Sequence, residues 1–249
     1  MNKRFLGILI SVIVAWIVNS CAPTKVVYLQ DLQAEVPIMI KEVALIKFEP
    51  GDQLRIMIHS RDPEIVRIFN LLSGSAYVID QQGDIDMPVL GKIRIAGLTR
   101  EQATNAIKYK LLDLRLVKDP VVTIEYEQMG YYLLGEVSSR GKKIIRQDYL
   151  TLLEALSEAG DLSLDGRRDN VMVLRTVDGQ QTPYRVNLLD VESVYSSPVF
   201  YIKQNDIIYV EPNTKRQAST TVNGTRLLTP SFWISMFTFT LSLISLISK

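Results

Sequence analysis

The chain of 249 residues has one cysteine, Cys21, and one histidine, His59. A lone cysteine excludes an internal disulfide, so stability must come from packing. The length suffices for one to two domains with sizeable cores. A lone histidine leaves a Ser–His or Cys–His catalytic unit a single candidate base. His59 lies among ordinary neighbours in an alternating run, where a structural role is expected. There is no Cys/His cluster with zinc spacing, no Gly-rich phosphate loop and no acidic run spaced like a calcium loop. No metal, cofactor or catalytic residue is therefore expected. Asp and Glu are plentiful enough for a glycoside-hydrolysis pair, but nothing singles one pair out. Asp52, Asp84, Asp86 and Asp206 read instead as organisers of turns at strand ends.

An excess of either charge is also lacking. Residues 1–20 hold Lys3 and Arg4 and no acidic residue, so removing them leaves 26 basic against 27 acidic side chains. That near-neutral balance argues against nucleic-acid binding, which shows as a basic excess or patch.

The N-terminus has three parts: basic Lys3 and Arg4, an apolar run from Phe5 to Val18, and the closing Val18-Asn19-Ser20-Cys21. This is the layout of a secretory signal, with an apolar stretch short for a membrane span. Cys21 directly after a small residue resembles a lipobox, which would make it the lipid-attachment site and the first residue of the mature chain. An ordinary signal peptide and an uncleaved anchor are the alternatives. At the other end, Leu227 to Ser248 contains no charged residue. Pro230 suits a first helical turn, and Ser231 to Ser248 would run about 27 Å as a helix, close to the ~30 Å hydrocarbon thickness. A transmembrane helix over 230–249 is the expectation. Ser231, Ser235, Thr238, Ser242 and Ser245 follow a 3.5-residue repeat and form one hydroxyl stripe. The stripe fits a plain tail anchor whose hydroxyls bond back to i−4 carbonyls. It also fits a helix that packs against copies of itself, since small polar residues let membrane helices approach closely.

Between these ends the expected fold class is α+β, as two small mixed domains. Residues 21–47 read as a lipidated tether with limited structure, of which Tyr28 to Leu32 could join a sheet. Residues 48–129 open on Phe48-Glu-Pro-Gly-Asp52, a turn set by Pro50 and Gly51. Leu54, Ile56 and Ile58 then alternate with polar residues as in a half-buried strand. Further strands are expected around Tyr77, at Ile85 to Met87, from Val89 to Ile95 and at Val121 to Tyr126. Thr99-Arg-Glu-Gln102 fits a capping box, followed by Ala103, Ala106, Ile107 and Leu111 at helical spacing. Residues 130–212 repeat this vocabulary. They offer a strand from Tyr131 to Val137, a second capping box at Thr151-Leu-Leu-Glu154, and Gly160 as a C-terminal cap. Asp178-Gly179 reads as a hairpin turn between Val171–Val177 and Tyr184–Leu188, and Ile207 to Val210 as the last strand. Residues 213–229 read as a linker.

The order of these pieces resembles the bacterial outer-membrane polysaccharide export lipoproteins of the Wza type. Phe48-Glu-Pro-Gly-Asp-Gln-Leu-Arg-Ile56 is similar to the opening of their polysaccharide-export domain. Tyr77-Val-Ile-Asp-Gln-Gln-Gly-Asp-Ile-Asp-Met-Pro-Val-Leu-Gly91 is similar to its central motif. Ile95-Ala-Gly-Leu-Thr99 and Asp119-Pro-Val-Val-Thr-Ile124 complete the order. Leu134-Gly-Glu-Val137, Thr151-Leu-Leu-Glu-Ala155, Ala159-Gly160 and Asn205-Asp-Ile-Ile-Tyr-Val210 resemble one soluble-ligand-binding β-grasp (SLBB) domain.

The resemblance implies an oligomeric ring that passes capsular or exopolysaccharide from periplasm to cell surface, without catalysis. It implies a lipid-anchored outer-membrane location with domains in the periplasm. It also implies an inner-membrane chain-length regulator or tyrosine kinase as partner. The chain departs from longer members in showing one SLBB-like region rather than two, and in a more apolar terminal helix than a pore lining calls for. A periplasmic binding or scaffold lipoprotein is the alternative from another class, and a polysaccharide-modifying enzyme a third.

Overall fold

Alternation of Leu54, Ile56 and Ile58 with Arg55, Met57 and His59 makes a strand with one wet and one buried face, and β1 spans Gln53–His59 in that pattern. The computed structural model describes residues 27–70, 76–219 and 230–247. In the first lobe β1 lies between β2 (Tyr77–Val78) and β5 (Val121–Tyr126), both antiparallel to it. A short helix, α1 (Pro63–Asn70), returns along β1. Its last side chain acts as a stand-in strand: the Asn70 amide accepts from Ile58 N–H at 3.0 Å and donates to Ile58 C=O at 2.6 Å. β3 (Asp84–Met87) and β4 (Gly91–Arg94) form a separate hairpin. α2 (Arg100–Asp113) starts at a capping box, with Thr99 Oγ1 accepting from Gln102 N–H and the Gln102 side chain accepting from Thr99 N–H. Its buried stripe is Ala103, Ile107 and Leu111, each fully buried.

The second lobe is one five-stranded sheet in the order β7-β6-β10-β8-β9. Its strands are β6 (Gly130–Gly135), β7 (Gly141–Ile144), β8 (Gly166–Val177), β9 (Gln180–Val186) and β10 (Ile207–Pro212). Only β6 and β10 run parallel. α3 (Leu152–Glu158) also starts at a capping box, built by Thr151 and Glu154. Fully buried Tyr131 on β6 donates from its hydroxyl to Ala155 C=O at 2.9 Å and to Glu158 at 3.0 Å. Those bonds hold α3 on the inner face of the sheet. Positive φ at both Asp178 and Gly179 gives the tight β8–β9 turn. β7, α1, the five-residue α4 (Val191–Tyr195) and α5 (Thr214–Ser219) were not among the expected elements; β7 and α5 carry no apolar pattern, and the apolar residues of α1 and α4 extend over barely one or two turns.

Inside the second lobe a buried ion pair orders the loop that precedes β10. Arg175 of β8 and Asp206 meet at 2.6 Å, with side chains 8% and 1% exposed. The guanidinium also donates to Pro198 C=O and Tyr201 C=O, and Asp206 also accepts from Lys203 N–H. Every charge-bearing atom is thereby partnered, the condition for burying a pair.

The same loop carries Gln204 across to the first lobe, where its amide donates to Asp52 Oδ1 at 2.5 Å. Asp52 is 3% exposed and also accepts from Glu49 N–H. Nearby, Arg100 of α2 pairs with Asp148 at 2.7 Å and stacks over the Tyr126 ring. Burial pushes the Asp52 carboxyl above 3.8, against the hydrogen bonds from Glu49 and Gln204 that pull it down. Burial, and then the charge of Asp52, push Glu49 above 4.5.

The tether at 27–46, expected to carry limited structure, is held by specific bonds. Leu29 and Gln30 N–H donate to Leu188 and Leu189 C=O, and Asp31 accepts from Val191 N–H. The Tyr28 hydroxyl donates to Asp161 while its ring lies over Arg168. Lys41 then holds Ser196 C=O, and the Tyr201 hydroxyl donates to Lys41 C=O. The segment is a strap clipped to the second lobe before it enters the first.

The expected C-terminal transmembrane helix is overturned. α6 (Pro230–Ile247) is helical, but among the described residues no helix is long and apolar enough to cross a membrane. Its 18 residues reach about 27 Å, short of a ~30 Å core, and hydroxyls at Ser231, Ser235, Thr238, Thr240 and Ser242 dilute its apolar surface. Among the described residues α and β elements mix in both lobes.

Three outcomes follow for stability. At Gly135, φ is +85° and an added Cβ would stand 2.0 Å from Val210 C=O. Gly135→Ala should therefore cost about 3 kcal/mol or more. Gly179→Ala, at φ +76° in open space, should cost only about 1–2 kcal/mol; equal losses in chemical denaturation would contradict this reading. Arg175→Met strands the Asp206 carboxylate and should cost about 3–5 kcal/mol by the same measurement. The third concerns pH. A raised carboxyl pKa means the folded protein holds the proton more tightly than the unfolded chain, so stability from Asp52 and Glu49 is full below 3.8 and is lost as pH rises through the folded-state value. Asp52→Asn should lose less stability than the natural chain between about pH 4 and about pH 7. A steeper loss in the variant, read from urea midpoints, would refute it.

Candidate functional site

The central motif of the family resemblance, residues 77–91, builds most of one hairpin. Asp80 makes its turn: Oδ1 accepts from Gln82 N–H at 3.0 Å and from Asp84 N–H at 2.8 Å, an Asx-type arrangement. These bonds, led by the one from Asp84, and Lys92 at 3.2 Å hold the Asp80 carboxyl below its usual range. Gly83 donates to Asp80 C=O, and its own carbonyl accepts from Ile95 and Ala96 N–H. At the hairpin tip Val89 takes a positive φ and is 60% exposed. Ile85 and Met87 point into the core. Asp84 and Asp86 stay on the outer side, so the motif is a rigid, polar-faced tongue anchored from beneath.

The expected organisers of turns divide. Asp52 and Asp206 build turns at strand starts, each accepting from the N–H three residues before it, and Asp206 also holds an arginine; Asp84 and Asp86 are strand residues whose side chains take no part in a turn, which falls to Asp80 instead. His59 ends β1, exposed, opposite Val121. Among the described residues no group of His, Cys, Asp and Glu is arranged to hold a metal ion.

Cys21 lies outside the described residues. In the stripe on α6, Ser235 Oγ donates to Ser231 C=O at 2.8 Å, Thr238 Oγ1 lies 3.0 Å from both Ile234 and Ser235 C=O, and Ser242 Oγ donates to Thr238 C=O at 2.9 Å. Each of these hydroxyls is satisfied within its own helix. The side chain of Ser245 lies outside the described residues. Trp233, Ile234, Phe237 and Phe239 remain about half exposed or more.

Two surfaces were not foreseen from the sequence. Between the strap and α4 lies a cavity of about 550 Å³, lined by Leu32, Val36, Ile38, Ile40, Glu192 and Tyr195 among others. The second is the outer face of the five-stranded sheet. Alternation turns Tyr131 and Leu133 inward and leaves Tyr132 and Leu134 outward, 37% and 47% exposed. Register places Lys142, Tyr132, Ile207 and Leu174 in one cross-strand row, and Leu134, Tyr209 and Met172 in the next. The Tyr209 ring reaches over Gly135, 3.0 Å from where a Cβ there would stand. The adjacent Tyr131-Tyr132 and Lys142-Lys143 pairs were the available signal. Which member faces out depended on pairing, not composition.

Comparison with known proteins agrees with the hairpin motif. Residues 42–127 match the family described as "Polysaccharide biosynthesis/export protein". The chain is 32% identical over 139 residues to the EPS I polysaccharide export outer membrane protein EpsA of Ralstonia solanacearum, covering 55% of this chain and 36% of that protein. It is 32% identical over 142 residues to the protein of the same name from Ralstonia nicotianae, covering 56% of this chain and 36% of the relative. The match thus spans little more than a third of the length of these curated relatives. Residues 42–127, which contain the whole Asp80-centred hairpin, are thus similar to the polysaccharide biosynthesis/export family.

Proposed function

We propose that the chain serves in the export of exopolysaccharide at the outer membrane, as a component of a passage rather than as a catalyst. The observation that carries this reading is the family match over 42–127, centred on the Asp80 hairpin. The names of the two relatives support the outer-membrane location and the polysaccharide cargo. Hydrated sugar polymers pass a surface most readily when it offers many weak contacts and no deep site.

The finer organisation belongs to the same proposal. Residues 48–129 act as the polysaccharide-export domain and 130–212 as the SLBB-like domain. Residues 1–20 are a removable signal, and Cys21 carries the lipid that ties 21–47 to the membrane. Only seven positions separate Cys21 from Tyr28, where the strap is clipped to the second lobe. Copies of the chain close into a ring, with the stripe of Ser231, Ser235, Thr238, Ser242 and Ser245 packing α6 against its neighbour. Its exposed flanks at Trp233 and Phe237 favour such a contact. An inner-membrane chain-length regulator or tyrosine kinase delivers the polymer.

Deleting the gene should abolish surface polysaccharide and leave polymer in the periplasm, and the intact gene should restore it. Normal surface polymer in the deletion strain would overturn the export reading. Cys21→Ser should lose incorporation of labelled palmitate and release the protein from the membrane fraction. Retained label would place the lipid elsewhere.

A further inference from the structure

We infer that the outer face of the five-stranded sheet is the surface against which an acidic polysaccharide chain slides. The inference rests on the export reading and names the class of polymer and the residues that meet it. Tyr132 and Tyr209 are diagonal neighbours on the parallel strands β6 and β10, because Tyr132 pairs with Ile207 and Tyr209 with Leu134. Two phenol rings on adjacent strands form a flat apolar step on which the C–H faces of sugar rings can pack, each with a hydroxyl to meet water or sugar. Beside the step stands Lys142, exposed and directly across from Tyr132.

The charge of the occupant follows from β7 and its flanks. Arg140, Lys142, Lys143 and Arg146 are four cations within seven residues, and none is ion-paired among the described residues. Elsewhere in this lobe Arg167, Arg175 and Arg185 each have a carboxylate. Lys142 is the one that shares the outer face with Tyr132, whereas Lys143 lies opposite inward-facing Tyr131 and bonds Ser139, and Arg140 donates to Gly135 C=O. Cations without a carboxylate thus line the edge strand beside the face, where the carboxylates or phosphates of a polymer would complement Lys142. Lysines on an edge strand also prevent it from pairing with another chain. That protection does not account for the open, tyrosine-bearing face next to it.

Area decides against a second copy of the chain as the occupant. Five strands about 4.8 Å apart and three to four residues of apolar length give roughly 200–270 Å². A stable protein interface needs about 800 Å² on each side. A narrow polymer that must bind weakly and move on fits the smaller figure.

The test uses the full chain in mild detergent, with oligogalacturonate as the acidic probe and dextran oligomers as the neutral one. Titration calorimetry should show binding of oligogalacturonate only, weakened when salt rises from about 0.1 M to about 1 M. Tyr132→Leu and Lys142→Glu, both at exposed positions, should keep the melting temperature and each weaken binding about tenfold. Equal binding of both probes, or unchanged binding in both variants, would overturn the inference. So would a change of particle size in the variants with sugar binding intact, which would make the face a contact between copies. Loss of surface polymer in the deletion strain, together with no oligogalacturonate binding in vitro, would leave the export reading standing and remove this face from it.

Discussion

The buried Arg175–Asp206 pair is the contact through which the two lobes depend on each other. A charge pair in the interior persists only when its remaining donors and acceptors are satisfied, because desolvation of each ion is not repaid by their attraction alone. Here the satisfaction comes from the loop itself: Pro198 and Tyr201 carbonyls on the guanidinium, and the Lys203 N–H on the carboxylate. The pair therefore fixes the path of 198–206. That path sets Tyr201, which receives the strap at Lys41, and Gln204, which reaches Asp52. One loop thus positions both the N-terminal segment and the first lobe.

The consequences for the surface are geometric. With the strap clipped at Tyr28 and Lys41, and the lobes joined through Asp52 and Asp148, the protein presents fixed surfaces. The Asp80 hairpin is one such surface, rigid because its turn is closed by side-chain and backbone bonds together. The outer sheet face is another; at Gly135 beneath it, β6 and β10 approach too closely for any Cβ. Under the export proposal, such surfaces would offer a hydrated polymer many shallow contacts, each weak.

Local signals were read well where the chemistry is local. Both capping boxes form, since a Thr hydroxyl three residues before a Gln or Glu side chain needs only one helical turn to close. The turn at Asp178-Gly179 forms for a similar reason, as positive φ is available to both residues. The alternation of 53–59 marks β1 because one face meets the core. β7 was missed because Gly-Lys-Lys-Ile has no apolar alternation and exists as a strand only by pairing with β6. The strap was undervalued because its docking runs through backbone N–H groups of Leu29 and Gln30, which no side-chain pattern reports. The terminal helix was overvalued as a span, since its lack of charge outweighed its limited length and its hydroxyls.

From sequence alone follow the strands with one buried face, the caps that start α2 and α3, and the motif of 77–91 at the centre of the family resemblance. Each of these depends on neighbours a few residues apart. The tertiary structure alone decided that Asp52 would be a buried junction, that Arg175 would find Asp206, and that Tyr132 would share an open face with Tyr209 and Lys142. These unite residues 31 to 152 positions apart, or strands whose register assigns each side chain to a face. A one-residue slip there would reverse every assignment. Such choices are made by the packing of whole sheets, and no local pattern encodes them.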